Sequence, residues 1–219
     1  MTVPVRLGVI FLCHDELDVA AAMVRIWHDG GAAVAIHVDS RANEIAYQAM
    51  RQSLADLTDV VWVDRLRCEW GMFTMVEATR AGAATLLRRF EDVTHAFVAS
   101  GTCLPLRPVA ELCDYLRRHP RVDFIESVSA QDVGWTVGGL NMERFERYFP
   151  VSWRKRRRLF DRLVNLQRRL RIRRRMPRGL APHLGSQWWC LTRQTLDAIL
   201  NDPRRGEFDR FFRDRKSVV

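Results

Sequence analysis

The sequence predicts an α/β fold in which a mostly parallel sheet carries helices on both of its faces. Short apolar runs typical of buried strands alternate with longer stretches of helical periodicity from residue 6 to residue 126. The chain has 219 residues, and 47% of them are hydrophobic, which is enough for a substantial core. We therefore expect residues 1–219 to form one domain.

The individual elements follow from local patterns, taken in chain order. Five apolar runs predict strands at 6–12, 33–38, 60–63, 95–99 and 122–126. The helices between them are predicted at 15–28, 43–57, 73–90 and 108–118. Asp15 is a candidate N-cap of the first helix, and Gly30 and Gly31 end it. A further strand, 187–192, precedes a helix at 193–201.

Polar groups follow four of these strands, at the edge where a parallel sheet binds its ligands. Ligands of open α/β sheets bind beyond the carboxyl ends of the strands, so these groups are candidates for a binding site. They are Cys13 and His14, residues 37–39, residues 100–102, and Glu126.

The cysteines and the apolar runs bear on the cellular compartment. The cysteine count is odd and the spacings are scattered, which predicts reduced thiols rather than a disulfide framework or a zinc site. The five are Cys13, Cys68, Cys103, Cys113 and Cys190. There is no run of about 18 apolar residues and no secretory signal pattern, so we expect a cytoplasmic protein.

The net charge of +9 is concentrated in residues 153–178, where Asp161 is the only acid. We interpret this segment as an arginine-rich helical insertion. Its apolar stripe would consist of Leu159, Leu163, Leu166 and Leu170.

Three roles stay open for the arginine-rich segment. The first is a solvated amphipathic helix packed on the domain. The second is attachment to an anionic membrane surface through Arg154–Arg175. The third is nucleic-acid binding. The second role would place the protein peripherally at the inner face of a membrane. The third has the least support, because no nucleic-acid-binding motif accompanies the arginines.

Six segments in the same order resemble the core-2/I-branching glycosyltransferases. That family includes β-1,6-N-acetylglucosaminyltransferases and protein O-xylosyltransferases. The matching segments are Phe11–His14, Ile36–Asp39, Glu69–Gly71 leading to Ala78, Ser100–Gly101 with Pro105–Leu106, Phe124–Glu126 and Gly185–Trp189.

The resemblance implies a GT-A fold, in which a nucleotide-binding sheet is joined to an acceptor-binding half. It also implies inverting transfer of N-acetylglucosamine or xylose from a UDP-sugar to a hydroxyl of a glycan or protein acceptor. A carboxylate base activates the hydroxyl, and positive groups receive the leaving diphosphate. The chain contains no Asp-x-Asp tripeptide. The resemblance therefore implies transfer without a metal or other cofactor.

Site residues carried over from the resemblance fall into two groups. Nucleotide-sugar binding is assigned to His14, Asp39, Trp70, Gly71, Ser100 and Gly101. The acceptor or sugar pocket is assigned to Glu126, Ser186, Gln187, Trp188 and Trp189.

Several assignments have a plainer alternative, which for Trp70 is packing in the core. Asp39 is expected to accept hydrogen bonds from uridine, or else to cap the next helix. Glu126 is expected to contact the acceptor sugar, or else to be a solvated carboxylate. The two tryptophans would point to opposite faces of a strand, so that one stacks on a sugar; burial of both is the alternative.

Two departures from the family pattern limit what the resemblance implies. Cys103 stands where many relatives carry an aspartate, and a thiol is a weak acceptor, so that contact is not carried over. The family's catalytic glutamate belongs to a Pro-Asp-Glu motif that does not occur before Val219. Glu207, Asp209 and Asp214 are the nearest acids, and none lies in that motif.

We therefore expect a C-terminally truncated transferase without its catalytic base. A non-catalytic module that binds a sugar nucleotide or glycan is one alternative. A basic membrane- or nucleic-acid-binding protein, with the α/β part as a scaffold, is the other.

Overall fold

Strands and helices alternate along the first half of the chain, and shorter elements follow. The computed structural model describes residues 4–134, 141–149, 151 and 156–213. The strands are β1 Leu7–Cys13, β2 Ala33–Val38, β3 Val60–Trp62, β4 His95–Ser100, β5 Phe124–Ile125, β6 Val128–Ser129, β7 His183–Leu184 and β8 Trp189–Thr192. The helices are α1 Leu17–Asp29, α2 Glu44–Ser53, α3 Phe73–Arg89, α4 Val109–Arg118, α5 Glu143–Glu146, α6 Arg157–Arg169, α7 Arg193–Leu200 and α8 Arg205–Arg213.

These elements belong to two compact units. The first unit comprises 1–68, 76–125 and 187–201, and the second comprises 69–75, 126–186 and 202–219. No helix in the described ranges is long and apolar enough to cross a membrane.

The first unit contains a six-stranded sheet with the order β3-β2-β1-β4-β8-β5. Strands β1 to β4 are parallel to one another, and β8 runs antiparallel between β4 and β5. The mostly parallel α/β sheet predicted from the sequence is therefore confirmed. Strands β2 and β3 lie on one side of β1, and β4 lies on the other. The boundary between β1 and β4 is therefore the topological switch point of the sheet.

Alternate residues of β1 enter two apolar clusters on opposite faces of the sheet. Val9 and Phe11 belong to a cluster that includes residues of α1, α2 and α4, whereas Ile10 belongs to one that includes α3 and α7. A Cβ atom at Gly82 of α3 would lie 2.5 Å from Cγ2 of Ile10. Glycine at this position therefore lets α3 lie close against the strand.

The second unit contains the two-stranded antiparallel sheet of β6 and β7, together with α5, α6 and α8. One of its apolar clusters is built on Ala130, Phe145 and Phe211. The other joins Phe149 to residues of α6. The sequence patterns did not predict β6 or β7, because each has only two residues.

The start of α1 differs from the prediction that Asp15 caps it. The helix begins at Leu17, and Glu16 before it has a left-handed backbone with φ of 46°. The carboxylate of Asp15 accepts the N–H of Glu16 instead, at 2.9 Å, and α1 has no side-chain N-cap.

The arginine-rich segment does contain a helix, but the predicted leucine stripe is not its packing face. The buried side chains of α6 are Phe160, Val164 and Gln167. This stripe also has helical spacing. It carries the aromatic ring of Phe160, which stacks on the ring of Phe149 at 5.2 Å between centroids. Residues 153–155 at the start of the predicted insertion lie outside the described residues.

Candidate functional site

The residues that follow β2 and β4 bond through their backbones to the last residues of β1, at the carboxyl edge of the first unit's sheet. The N–H of Asp39 donates to the carbonyl of Cys13, and the N–H of Gly101 donates to the carbonyl of Leu12, both at 2.9 Å. A Cβ at Gly101 would lie 3.0 Å from the Cβ of Cys13. The absence of a side chain at Gly101 therefore keeps the switch point between β1 and β4 closely packed.

Asp39 is buried at this edge, and each of its carboxylate oxygens accepts two hydrogen bonds. Oδ1 accepts from the backbone N–H and from Nε of Arg41, at 2.8 and 3.1 Å. Oδ2 accepts from Nη2 of Arg41 at 3.0 Å and from the N–H of Cys68 at 2.9 Å. Asp39 is therefore a positioning residue for Arg41 and for the segment that ends at Cys68.

Asp39 is not the cap of α2, which was the alternative to nucleotide binding. Asn43 occupies that position, and its side-chain oxygen accepts the N–H of Ala46 at 3.0 Å. The prediction that Asp39 contacts uridine stays a prediction.

The surroundings of Asp39 keep it ionised. Burial raises the pKa of this carboxyl, but the hydrogen bonds from Arg41 and Cys68 outweigh burial and lower the pKa to about 2. The guanidinium of Arg41, whose side chain is 51% exposed, is held by this anion and also donates to the carbonyl of Cys68. A fixed cation is thus presented at the carboxyl edge.

Two further residues hold the segment 65–68 beside β2. Nε2 of the buried His37 accepts the N–H of Leu66 at 2.9 Å, and burial lowers the pKa of His37. Nη2 of Arg65 donates to the carbonyls of Asp39 and Ala42, at 3.1 and 2.8 Å. His37 accordingly acts as a neutral acceptor, with its proton on Nδ1.

Ser100 and Cys103 form a tight turn after β4. The N–H of Cys103 donates to the carbonyl of Ser100 at 2.9 Å, and the Ser100 hydroxyl lies 3.2 Å from the Cys103 thiol. The carbonyl of Cys103 accepts Nε1–H of Trp27 at 3.1 Å. The Cys103 thiol therefore contacts a serine hydroxyl of its own turn.

His14 is an exposed side chain directly after β1. Its neighbour Cys13 is buried, and burial raises the pKa of that thiol to about 12. Of Cys13, which ends β1, and His14, which follows it, only His14 therefore has a side chain accessible to a ligand.

Trp70 and Gly71 lie in the second unit, in the turn that leads into α3. Trp70 is 52% exposed, so plain core packing does not account for it. Gly71 has φ of +76°, a left-handed conformation that favours glycine. The N–H of Glu69 donates to the hydroxyl of Thr74 at 3.0 Å, which closes the turn.

Glu126 and Gly185 are in direct backbone contact in the second unit. A Cβ at Gly185 would lie 1.8 Å from the carbonyl oxygen of Glu126, so no other residue fits there without rearrangement. This contact brings Ser186, the next residue, beside Glu126. The Glu126 side chain is exposed, as both the acceptor-contact prediction and its solvated alternative require.

The adjacent tryptophans differ in burial, but Trp188 precedes β8, so the opposite-face prediction, which assumed a strand from Gln187, stays a prediction. Trp189 begins β8, pairs with Ile125 and packs against the cluster on the α3 side of the sheet. Trp188 is 39% exposed and lines a recess of about 280 Å³ with Tyr115 and Phe124. Gln187 is exposed beside it. Trp188 is the more exposed of the two tryptophans, and Trp189 lines the same recess.

The acids near the end of the chain have no catalytic arrangement that we can assign. Glu207 pairs with Nε of Arg204 at 3.2 Å, and Asp214 lies outside the described residues. Across 4–134, 141–149, 151 and 156–213, no three His, Cys, Asp or Glu side chains come together as metal ligands.

The structure groups the predicted residues by unit. In the first unit Asp39 and Gly101 each bond to the end of β1, with Ser100 beside Gly101 and His14 directly after β1; in the second unit Glu126 contacts Gly185, the neighbour of Ser186. Arg41 and Arg65 were not among the site residues predicted from the sequence. The signal was the arginine two residues after the strand-ending aspartate, a spacing that allows a bidentate pair.

Comparison with known proteins agrees with the six segments. A family model described as Core-2/I-Branching enzyme matches residues 10–207, most of the chain. No curated protein shows significant similarity to this chain.

Proposed function

This chain belongs to the core-2/I-branching enzymes, a glycosyltransferase family, and we propose that it binds a UDP-sugar at the carboxyl edge of its first unit. The sugar would be N-acetylglucosamine or xylose, transferred with inversion to a hydroxyl of a glycan or protein. Family membership supports a sugar donor and a sugar-accepting partner in general.

The observation that carries this proposal is the convergence of Cys13, Asp39 and Gly101 at the switch point. Nucleotides bind open α/β sheets in the crevice beyond the carboxyl ends, where the strand order reverses. Here the segments after β2 and β4 bond to the end of β1, and glycine at position 101 lets the end of β4 lie close against Cys13.

The charges at this edge suit a diphosphate. Arg41 is held in place by the buried Asp39 and is half exposed, so its guanidinium is already oriented. A fixed cation stabilises the charge that develops on the leaving diphosphate without having to reorganise. We propose that Arg41 supplies part of this charge, in keeping with transfer that needs no metal.

The second half of the reaction needs groups that bind the acceptor sugar. In the first unit Trp188 offers an aromatic face beside Gln187, and in the second unit Glu126 and Ser186 offer hydrogen-bonding groups. Flat aromatic faces suit the apolar face of a sugar ring, and carboxylates suit its hydroxyls. We assign none of the described carboxylates as the catalytic base.

The test is calorimetric titration of the full chain with UDP, UDP-GlcNAc and UDP-xylose, in EDTA and then with Mn²⁺. We expect one saturable site for UDP whose affinity is unchanged by EDTA. His14→Ala should weaken UDP binding at least several-fold, whereas the control His28→Ala, on α1, should not. Absence of UDP binding in both buffers would overturn the proposal.

A turnover assay on the same samples separates transfer from binding alone. Release of UDP that depends on an acceptor supports the transferase. UDP binding without turnover over hours favours the non-catalytic sugar-nucleotide-binding module, since losing an acid–base group typically costs 10²–10⁴ in rate.

A further inference from the structure

Helix α6 carries an apolar stripe that it does not use for packing. Phe160, Val164 and Gln167 form its buried face. Leu159, Leu166 and Leu170, together with Ile172 after the helix, are 38%, 49%, 59% and 41% exposed. The three leucines are spaced by seven and four residues, so they lie on one side of the helix.

Arginines border this exposed stripe. At 100° per residue, Arg158, Arg162 and Arg169 lie on the solvent side of the leucines, away from the buried face. All three are exposed, and no carboxylate pairs with any of them among the described residues. Arg168, on the opposite flank, differs, because it pairs with Glu143 at 2.7 Å.

The helix is held firmly enough to present this surface. The amide of Gln167 bonds both backbone groups of Tyr148, at 2.9 and 2.8 Å. Nη1 of the buried Arg147 donates to the carbonyl of Gln167 at 3.2 Å and to that of Ile172. The exposed leucines therefore stand on an anchored helix and not on a free segment.

We propose that this face of α6 docks on an anionic lipid bilayer, with the helix lying in the plane of the interface. Leu159, Leu166 and Leu170 would enter the boundary between headgroups and acyl chains. Arg158, Arg162 and Arg169 would lie at the level of the anionic headgroups, where basic side chains keep their charged ends in water.

The leucines decide between a membrane and a nucleic acid. A phosphate backbone is bound by cations, and unpaired bases are bound by stacking on aromatic rings. An exposed aliphatic stripe serves neither purpose, whereas it is the feature that an amphipathic interfacial helix requires. This inference does not depend on the proposed transferase activity.

Vesicle sedimentation of the full chain tests the proposal. Vesicles of phosphatidylcholine alone are compared with vesicles that also contain phosphatidylglycerol, at about 0.15 M salt. We expect binding only to the anionic vesicles. The double variant Arg162→Gln/Arg169→Gln should lower the partition constant about thirtyfold, equivalent to about 1 kcal/mol for each arginine.

A second double variant separates the two parts of the surface. Leu166→Ser/Leu170→Ser should lower the partition constant at least tenfold, because it removes apolar area from the bilayer without changing the charge. The controls Ile45→Ser and Arg107→Gln/Arg121→Gln, at exposed positions of the first unit, should bind as the unaltered chain does. Unchanged circular dichroism would show that the variants are folded.

Three results would overturn the membrane proposal. One is equal binding to neutral and anionic vesicles, and another is the absence of vesicle binding. The third is tight binding to duplex DNA or RNA that is lost with the arginines and unaffected by the leucines, which would assign the surface to nucleic acid.

Discussion

Replacing Asp39 by Asn should destabilise the first unit, because a neutral amide cannot accept all four hydrogen bonds that the carboxylate accepts. Two of the donors are the guanidinium nitrogens of Arg41, and two are backbone N–H groups, of Arg41 and Cys68. The amide NH₂ of Asn would face a donor whichever way it is placed.

The size of the expected stability loss follows from the pKa of Asp39. Hydrogen bonding lowers the pKa of Asp39 from 3.8 to about 2, against the opposing effect of burial. At about 1.4 kcal/mol for each pH unit, this corresponds to about 2 kcal/mol of stability at pH 7. The folded state binds the proton less readily, so the contribution is complete above about pH 4 and disappears as the pH falls to about 2.

Urea unfolding followed by circular dichroism between pH 2 and pH 7 measures both effects. Asp39→Asn should lose about 2 kcal/mol at pH 7, and it should lack the part of the acid-induced decline that belongs to this group. Asp64→Asn, at an exposed aspartate in the same unit, is the matched control. Equal stabilities and equal acid profiles for the two variants would show that the hydrogen bonds to Asp39 do not stabilise the fold.

Two further predictions concern His37 and Gly185. His37→Phe should cost about 1–3 kcal/mol in chemical denaturation by leaving the Leu66 N–H without an acceptor, whereas His37→Gln, which keeps an acceptor, should cost less. Burial lowers the pKa of His37, so its contribution to folding stability is complete above about pH 6.5 and declines at lower pH. His37→Gln should remove that decline. Equal losses of stability in the Phe and Gln variants would contradict the role of His37 as the acceptor of the Leu66 N–H. Gly185→Ala should perturb the second unit, measured by thermal unfolding, because its Cβ would overlap the Glu126 carbonyl, whereas Gly206→Ala, with open space in α8, should be neutral or stabilising. Equal melting temperatures for the two glycine variants would rule out the close contact.

The sheet could be predicted from sequence because its signals are local. Apolar runs and helical periodicity placed β1 to β4 and α1 to α4 within a few residues of their observed bounds. Strand order is a long-range property, and the insertion of β8 between β4 and β5 depends on pairing between residues far apart in the chain.

The errors have specific physical causes. Asp15 has the composition of an N-cap, but the left-handed turn at Glu16 directs its carboxylate to the neighbouring N–H. In α6 both the leucines and the pair Phe160 and Val164 have helical spacing. Packing against Phe149 decides that Phe160 and Val164 are the buried residues. A helical period alone cannot choose between two such faces.

The sequence predicted where the candidate site residues lie, but it did not predict their hydrogen-bond partners. The topological rule placed Asp39 and Gly101 at one edge, and the structure joins them there through hydrogen bonds to β1. The pairing of Asp39 with Arg41 and Cys68 depends on how segment 65–68 folds back on β2. No strand or helix pattern marks that segment.

Hydrogen–deuterium exchange of the full chain with and without UDP tests whether the nucleotide binds at the carboxyl edge of the first unit. If the nucleotide binds at the carboxyl edge of the first unit, peptides that cover residues 13–16, 39–42 and 100–103 should exchange more slowly with UDP. Peptides of α6 and α8 should be unaffected. Protection confined to other segments, or none at saturating UDP, would contradict the account.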